Sequence, residues 1–213
     1  MKERFYDRLN GALDRKGFGE RRDRLVGSLA GDVLEVGAGT GFNLPRYRRV
    51  ARVVAIEPDP RYRRRLQARA HYAQVPAEVV DARAETLPFA DHSFDRVVTS
   101  ICLCSVADPQ ATLAEIHRVL RPGGSLAFLE HVRGTGRLGR WQDRLTPLQR
   151  RLAEGCNLNR DTHAAIQAAD FHIEAAERFT MPRGHPLIRH AIQGTAVKRD
   201  SHSGPLAVAL PAP

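Results

Sequence analysis

Cysteine and lysine are both scarce in this sequence, tryptophan occurs once, and long apolar runs are missing. The three cysteines are Cys102, Cys104 and Cys156. Their odd number and the absence of a Cys-x-x-Cys pair exclude a disulfide scaffold. No histidine pair sits beside a cysteine pair at zinc-finger spacing, so no metal site is expected. The apolar runs are strand-sized, far short of the roughly 20 residues of a membrane span. The N-terminus, MKERFYDRLN, is charged from Lys2 onward and lacks a signal peptide's apolar core. Together these absences point to a cytoplasmic protein with no anchor of its own.

Lysine appears only as Lys2, Lys16 and Lys198, although the net charge is +9 and the pI about 10.3. The basicity is therefore arginine, scattered in short groups such as Arg63 to Arg65 at helix-like positions. These arginines do not interleave with stacking aromatics, which argues against single-stranded nucleic acid as a partner. A solvated basic surface accounts for them, with peripheral contact to an anionic membrane surface as the remaining use.

What is present is an alternation of strand and helix patterns in a chain long enough for one domain. Strands are expected at Asp32 to Val36, Arg52 to Ile56, Glu78 to Asp81, Phe94 to Ser100 and Ser125 to His131. Helices are expected over residues 1 to 30 with a break at KGFGE, over Pro60 to Tyr72, and from Pro109 to Leu120. In the first of these, Phe5, Leu9, Ala12 and Leu13 keep helical spacing, as do Leu25, Ser28 and Leu29. Asp108 is a good N-cap with proline at the first helical position, and RPGG ends that helix. Residues 137 to 153 read as helix, and Ile173 to Phe179 and Gln193 to Lys198 as a final strand pair. Cys102 and Cys104 alternate as if on one strand. The pattern predicts an α/β protein with a parallel sheet covered on both faces. Residues 1–31 form an N-terminal helical segment and candidate lid, 32–200 the main domain, and 201–213, rich in proline, a tail expected to be disordered.

The stretch VLEVGAGTGFN, Val33 to Asn43, places glycines 37, 39 and 41 directly after the first strand. A glycine turn between strand and helix lets a ligand touch backbone near helix N–H groups. The loop has no lysine, which excludes a phosphate-binding P-loop. Its G-x-G-x-G spacing puts Phe42 where a dinucleotide fingerprint has its third glycine, which weakens NAD or FAD. Glu57 closes the second strand, where a carboxylate can accept both ribose hydroxyls. An ordinary strand-end surface residue is the alternative reading of Glu57.

LEVGAGTG, AIEPD, ARAETLPFADHSFDRVV and HRVLRPGGSLAFLEH, in that order over residues 32 to 131, resemble the class I S-adenosylmethionine-dependent methyltransferases. The resemblance implies a Rossmann-like, doubly wound, seven-stranded and mostly parallel sheet with helices on both faces. It implies S-adenosylmethionine as cofactor, with Gly37, Ala38 and Gly39 beneath its amino-acid part, Glu57 on the ribose diol and Pro58 on the adenine. Arg83 and Ala84 occupy the place of an adenine-contacting pair, and Ser100 faces the methionine end. Glu35, Asn43 and Glu85 complete the implied set. Arg83 departs from the family pattern, which often has Asp there; Asp81, Glu85 or backbone atoms would then read the adenine amino group.

TSICLCSV, after the fourth strand, is not the Asn/Asp-Pro-Pro-Tyr/Phe element of many amino-methylating enzymes. The stretch from Ile101 to Val132 instead resembles the methyltransferase-like alkyl-thiol S-methyltransferases. EGCNLNRDT (Glu154 to Thr162), Trp141 with Gln142, and GTAVK near the end extend that similarity into the half where acceptor specificity usually lies. Animal members are membrane-associated through a hydrophobic anchor that this N-terminus does not match. The resemblance implies a small-molecule methyl acceptor, a small or alkyl thiol being favoured. The residues of interest on the acceptor side are His131, Cys156 and Asn157. His131, with an ordinary pKa near 6.5, suits a base that deprotonates a thiol; fixing a strand-end loop is its alternative role. Cys156 reads as a small buried residue, and Cys102 and Cys104 as core or pocket wall. The other readings are a quinone-ring C-methyltransferase, a phospholipid N-methyltransferase, and a non-catalytic cofactor- or nucleic-acid-binding protein.

Overall fold

The structure is a computed structural model that describes residues 2–152, 155–181 and 185–199. The chain begins with α1 (Lys2–Leu13), a π-turn segment (Asp14–Phe18) and α2 (Gly19–Val26). Then come β1 (Ala30–Val36), β2 (Arg49–Ile56), α3 (Pro60–Ala70), β3 (Ala77–Val80) and β4 (Phe94–Ser100). α4 (Pro109–Val119), β5 (Leu120–His131), α5 (Gly136–Leu152), α6 (Thr162–Ala168), β6 (Phe171–Thr180) and β7 (His190–Lys198) complete it. The seven strands form one sheet in the order β3-β2-β1-β4-β5-β7-β6. All pairings are parallel except those of β7, which runs antiparallel to both β5 and β6.

The strand order reverses between β1 and β4, so the loops leaving their carboxyl ends diverge and open a crevice there. Central strands buried on both faces need continuous apolar runs, and β1, β2, β4 and β5 have them. Alternate residues feed two cores. Leu34 and Val36 pack with Leu113, Ile116 and Ile166 on the α4/α6 side. Val33, Val53 and Ala55 pack with Phe18, Leu25, Leu44 and Leu66 on the α2/α3 side. α3 and α4 start where Asp59 and Asp108 accept backbone N–H bonds, each with proline next in sequence.

Several sequence expectations change in detail. The KGFGE break is a kink within continuous helical turns, at Lys16 and at Gly17 (φ 101°). Leu29 lies beyond α2 rather than on it. Phe5 and Leu9, though at helical spacing, are exposed; Tyr6, Asn10 and Leu13 turn inward instead. β4 ends at Ser100 and Ile101 takes φ 54°, so Cys102 and Cys104 lie in a turn, not on a strand. β5 starts at Leu120 rather than Ser125, because Leu120 pairs with Phe94 across a register shift. α6, N-capped by Asp161, was not expected. The expected tail, 201–213, lies outside the described residues. Among the described residues no helix is long and apolar enough to cross a membrane.

Arg22 joins the N-terminal segment to the sheet. Its guanidinium, almost fully buried, donates to Asn10 Oδ1 (3.1 Å), Asp14 Oδ1 (3.1 Å), Asn43 Oδ1 (3.1 Å) and Ser100 Oγ (3.0 Å). Replacing one member of a buried charged network strands its partners, at a cost of about 2–4 kcal/mol. Arg22→Met is expected to lower unfolding stability by about that amount, read from urea denaturation.

Candidate active site

A cavity of about 460 Å³ opens at the switch point. Gly37, Gly39, Glu57, Pro58, Ala84 and Tyr62 are among its walls, with Tyr6 reaching in from α1. Its volume is in the range of small-molecule sites. Gly37 has φ 65°, and a Cβ there would lie 2.3 Å from Cys102 Sγ, so only glycine lets this loop pass between ligand space and the Cys102 turn. Gly41 serves a different purpose. A Cβ there would meet Leu66 at 2.8 Å, so this third glycine allows α3 to pack on the loop.

Glu57, the residue after β2, is buried, one carboxylate oxygen accepting the Gly39 N–H (2.9 Å) and the other the Asp59 N–H (2.9 Å). These bonds aim the carboxylate along the cavity wall, where Glu57 is a lining residue. Arg63 fixes the turn beyond it by donating to the carbonyls of Glu57 (2.9 Å) and Pro58 (2.8 Å) and pairing with Asp81 (2.7 Å). Asp81 is thereby engaged outside the cavity lining. Glu85 lines the cavity and accepts the Ala107 N–H (2.7 Å). The Arg83 side chain is largely exposed, with Nε 3.4 Å from Glu85.

Seven of the cofactor residues expected from sequence therefore share one cavity: Gly37, Gly39, Glu57, Pro58, Arg83, Ala84 and Glu85. Glu35, Asn43 and Ser100 are not among its lining residues. Glu35 is buried and accepts from Asn43 Nδ2 (2.9 Å) and the Tyr47 hydroxyl (2.8 Å), while Asn43 and Ser100 hold Arg22. Burial raises the Glu35 pKa, against those two hydrogen bonds. These three residues support the glycine loop and the end of β4 from behind. Ala38, also outside the lining, anchors the loop by donating its N–H to Ile56 O (2.9 Å).

Tyr6 is a wall residue that sequence reasoning missed. Its hydroxyl lies over Gly39, its ring packs on Tyr62 (centroids 5.1 Å), and burial pushes its pKa up to about 12. Asp7 beside it accepts from Thr40 Oγ1 (2.6 Å) and pairs with Arg65 and Arg69. α1 is thus held across the glycine loop.

Beyond the Cys102 turn lies a second group of functional side chains. Cys104, His131 and Cys156 each direct one donor atom into a cluster whose members lie within 4.8 Å of one another. His131 Nε2 is 3.1 Å from Cys156 Sγ, and Cys104 Sγ is 3.4 Å from the hydroxyl of Ser105, a cavity-wall residue. Asn157 holds the segment in place, its backbone N–H (2.8 Å) and Nδ2 (3.0 Å) both donating to Cys104 O. Arg160 adds bonds to the carbonyls of Leu103 and Val106. The hydrogen bond from Cys156 pulls the Cys104 thiol well below its ordinary range, and the nearby imidazole adds to this; the same bond pushes Cys156 up. Burial opposes protonation of His131, but the Cys104 sulfur outweighs it and the His131 pKa is raised. Glu130, missed from sequence although it directly follows the apolar run SLAFL, is fully buried and accepts the Cys102 N–H (3.1 Å); burial pushes it up to about 8.

A protein-family model described as a methyltransferase domain matches residues 34–128. The human thiol S-methyltransferase TMT1A is 37% identical over 171 residues, covering 78% of this chain and 70% of that protein. This chain belongs to the thiol S-methyltransferase family. Human TMT1B is 36% identical over 172 residues, with the same coverage of both chains. Among solved structures, an S-adenosylmethionine-dependent methyltransferase from Thermotoga maritima matches with a TM-score of 0.68 at 20% identity. That match covers 92% of this chain and 97% of the other, and the shared feature is the fold.

The protein is an S-adenosylmethionine-dependent methyltransferase acting on a small molecule. The cavity suits this cofactor: a side-chain-free strip at Gly37 and Gly39, an oriented carboxylate at Glu57 and the Tyr62 ring offer backbone, diol and stacking contacts. When bound, the cofactor supplies an electrophilic methyl on a sulfonium. The chain's part is to hold donor and acceptor in line and to manage the acceptor's proton.

Proposed function

We propose that this methyltransferase transfers its methyl group to the sulfur of a small or alkyl thiol. The observation that carries this is the extent of the similarity to TMT1A. Its 171 aligned residues far exceed the 34–128 segment shared with methyltransferases generally, so it reaches the half that contains the acceptor side. The Cys104–His131–Cys156 cluster supports the reading. It lies one hydroxyl away from the cofactor cavity, and its sulfur and imidazole groups are suited to a thiol neighbour. In this reading Gly37, Gly39, Glu57, Pro58, Ala84 and Glu85 hold the cofactor. Glu35, Asn43 and Ser100 position the loop, and His131 is the group that takes the acceptor's proton.

The test is a panel of alkyl thiols, amines, quinols and phosphatidylethanolamine vesicles, each offered with methyl-labelled S-adenosylmethionine. Label should enter thiols with a kcat/KM at least about 100-fold above every other class, the difference of about 2.7 kcal/mol expected of matched acceptor chemistry. Preferential labelling of phospholipid or quinol would replace the thiol reading with one of those.

We further read residues 1–31 as a cap over the bound cofactor, from the contacts of Tyr6 and Asp7 with the glycine loop. Adding S-adenosylmethionine should slow backbone hydrogen exchange across α1. Tyr6→Ala should weaken cofactor binding about 5- to 10-fold through the lost aromatic wall. Unchanged exchange in α1 on binding would remove the cap.

A further inference from the structure

The cysteine–histidine cluster has a property that acceptor deprotonation does not use. Its three donors come from three separate elements: the turn after β4, the end of β5 and the segment after α5. They are brought together by dedicated bonds, those of Asn157 and Arg160 to the carbonyls of residues 103, 104 and 106. Cys104 and His131 are buried and Cys156 is half-buried. Nδ1 of His131 has no hydrogen-bond partner among the described residues, so the ring's polar contact is with the cluster.

We propose that Cys104, His131 and Cys156 form a Cys2His site for a thiophilic divalent cation, zinc foremost, with a fourth position open to the acceptor sulfur. Tetrahedral zinc has Zn–S distances of about 2.3 Å and Zn–N of about 2.0 Å, which separates its donors by about 3.5–3.8 Å. The donors here lie within 4.8 Å of one another, with the His131–Cys156 pair at 3.1 Å, so shifts of about 1 Å or less would complete the geometry. Two thiolates and an imidazole select zinc over magnesium or calcium. Three protein ligands leave the fourth position for an outside ligand, and the 3.4 Å approach of Cys104 to Ser105 places the site against the cofactor cavity.

The metal site stands on the ligand geometry; only the acceptor's place in it rests on the thiol reading. There, a thiol loses its proton to solvent on coordination and stays a thiolate. A carbon–sulfur bond forms to the cofactor's methyl as the methyl–sulfonium bond breaks, giving a thioether and S-adenosylhomocysteine. The neutral thioether is a poor ligand and leaves. With the cation bound, His131 is a ligand, and coordination takes over the proton-removing role.

The test uses the full chain, reduced and stripped with a chelator, then titrated with cobalt(II). One equivalent should produce an intense thiolate-to-cobalt charge-transfer band with tetrahedral ligand-field bands, displaced by zinc. Cys156→Ser should lose most of the band, and Cys102→Ser should keep it. Cys104→Ser should lose the band as Cys156→Ser does; where either fails to fold, His131→Cys keeps three soft donors and should bind cobalt with a stronger charge-transfer band. A wild-type spectrum without thiolate charge transfer, or one unchanged by Cys156→Ser, overturns the site. Thiol methylation without the band would defeat the metal proposal alone. The band without thiol methylation would uphold the metal site and defeat the acceptor assignment.

Discussion

Glu57→Ala is expected to weaken S-adenosylmethionine binding on the order of 100-fold or more, since two charge-assisted hydrogen bonds at about 1.5–3 kcal/mol each are lost. The carboxylate is well placed to be worth this much. It is buried just after β2, and the N–H groups of Gly39 and Asp59 hold it in one orientation. A ligand that bonds to it meets a group whose side-chain entropy is already spent. Glu57→Gln keeps the shape and one acceptor, so its loss should be smaller, about 10-fold. Calorimetry with the cofactor reads both. Equal losses in the two variants would point to disruption of the turn rather than to lost ligand contacts.

His131→Gln is expected to lower turnover by about 100-fold or more while leaving cofactor affinity within about twofold, as for a group that acts on the acceptor's proton. The separation follows from position. His131 ends β5 and meets Cys156, and it is not among the residues lining the cofactor cavity. The expectation holds whether the imidazole takes the proton itself or ligates a cation that promotes its loss. Single-turnover rates with a thiol acceptor, alongside cofactor calorimetry, measure both quantities. Full turnover in the variant would remove His131 from the chemistry.

The cofactor half of this site was readable because it is local. The glycine loop follows β1 directly and Glu57 directly follows the next strand, so short-range spacing carries the arrangement. The alternation of strands and helices likewise reported a sheet covered on both faces, down to the Asp108 cap of α4. The Cys104–His131–Cys156 cluster could not be read in this way. His131 and Cys156 are 25 positions apart, and spacing rules for metal sites capture ligands on one turn or hairpin, not ligands assembled by β5 and two loops. Sequence alone gave Cys102 and Cys104 similar standing; Ile101 at φ 54° separates them, sending one against Gly37 and the other into the cluster. Tyr6 was hidden for a related reason. Helical spacing drew attention to the apolar Phe5 and Leu9, which face solvent, while the polar face of α1 meets the site. For Glu130 a signal did exist, a carboxylate directly after the run SLAFL that two-sided burial should have made unfavourable.

Sulfur is the atom proposed to receive the methyl group, and mass analysis of the product formed from a small alkyl thiol and methyl-labelled S-adenosylmethionine tests this most directly. The predicted result is a labelled S-methyl thioether produced in equal amount with S-adenosylhomocysteine, and strongly reduced at sub-saturating cofactor when Glu57→Ala replaces the wild-type chain. Cofactor that binds tightly but yields no thioether from any thiol, with the label recovered instead on a nitrogen or carbon acceptor, would contradict it.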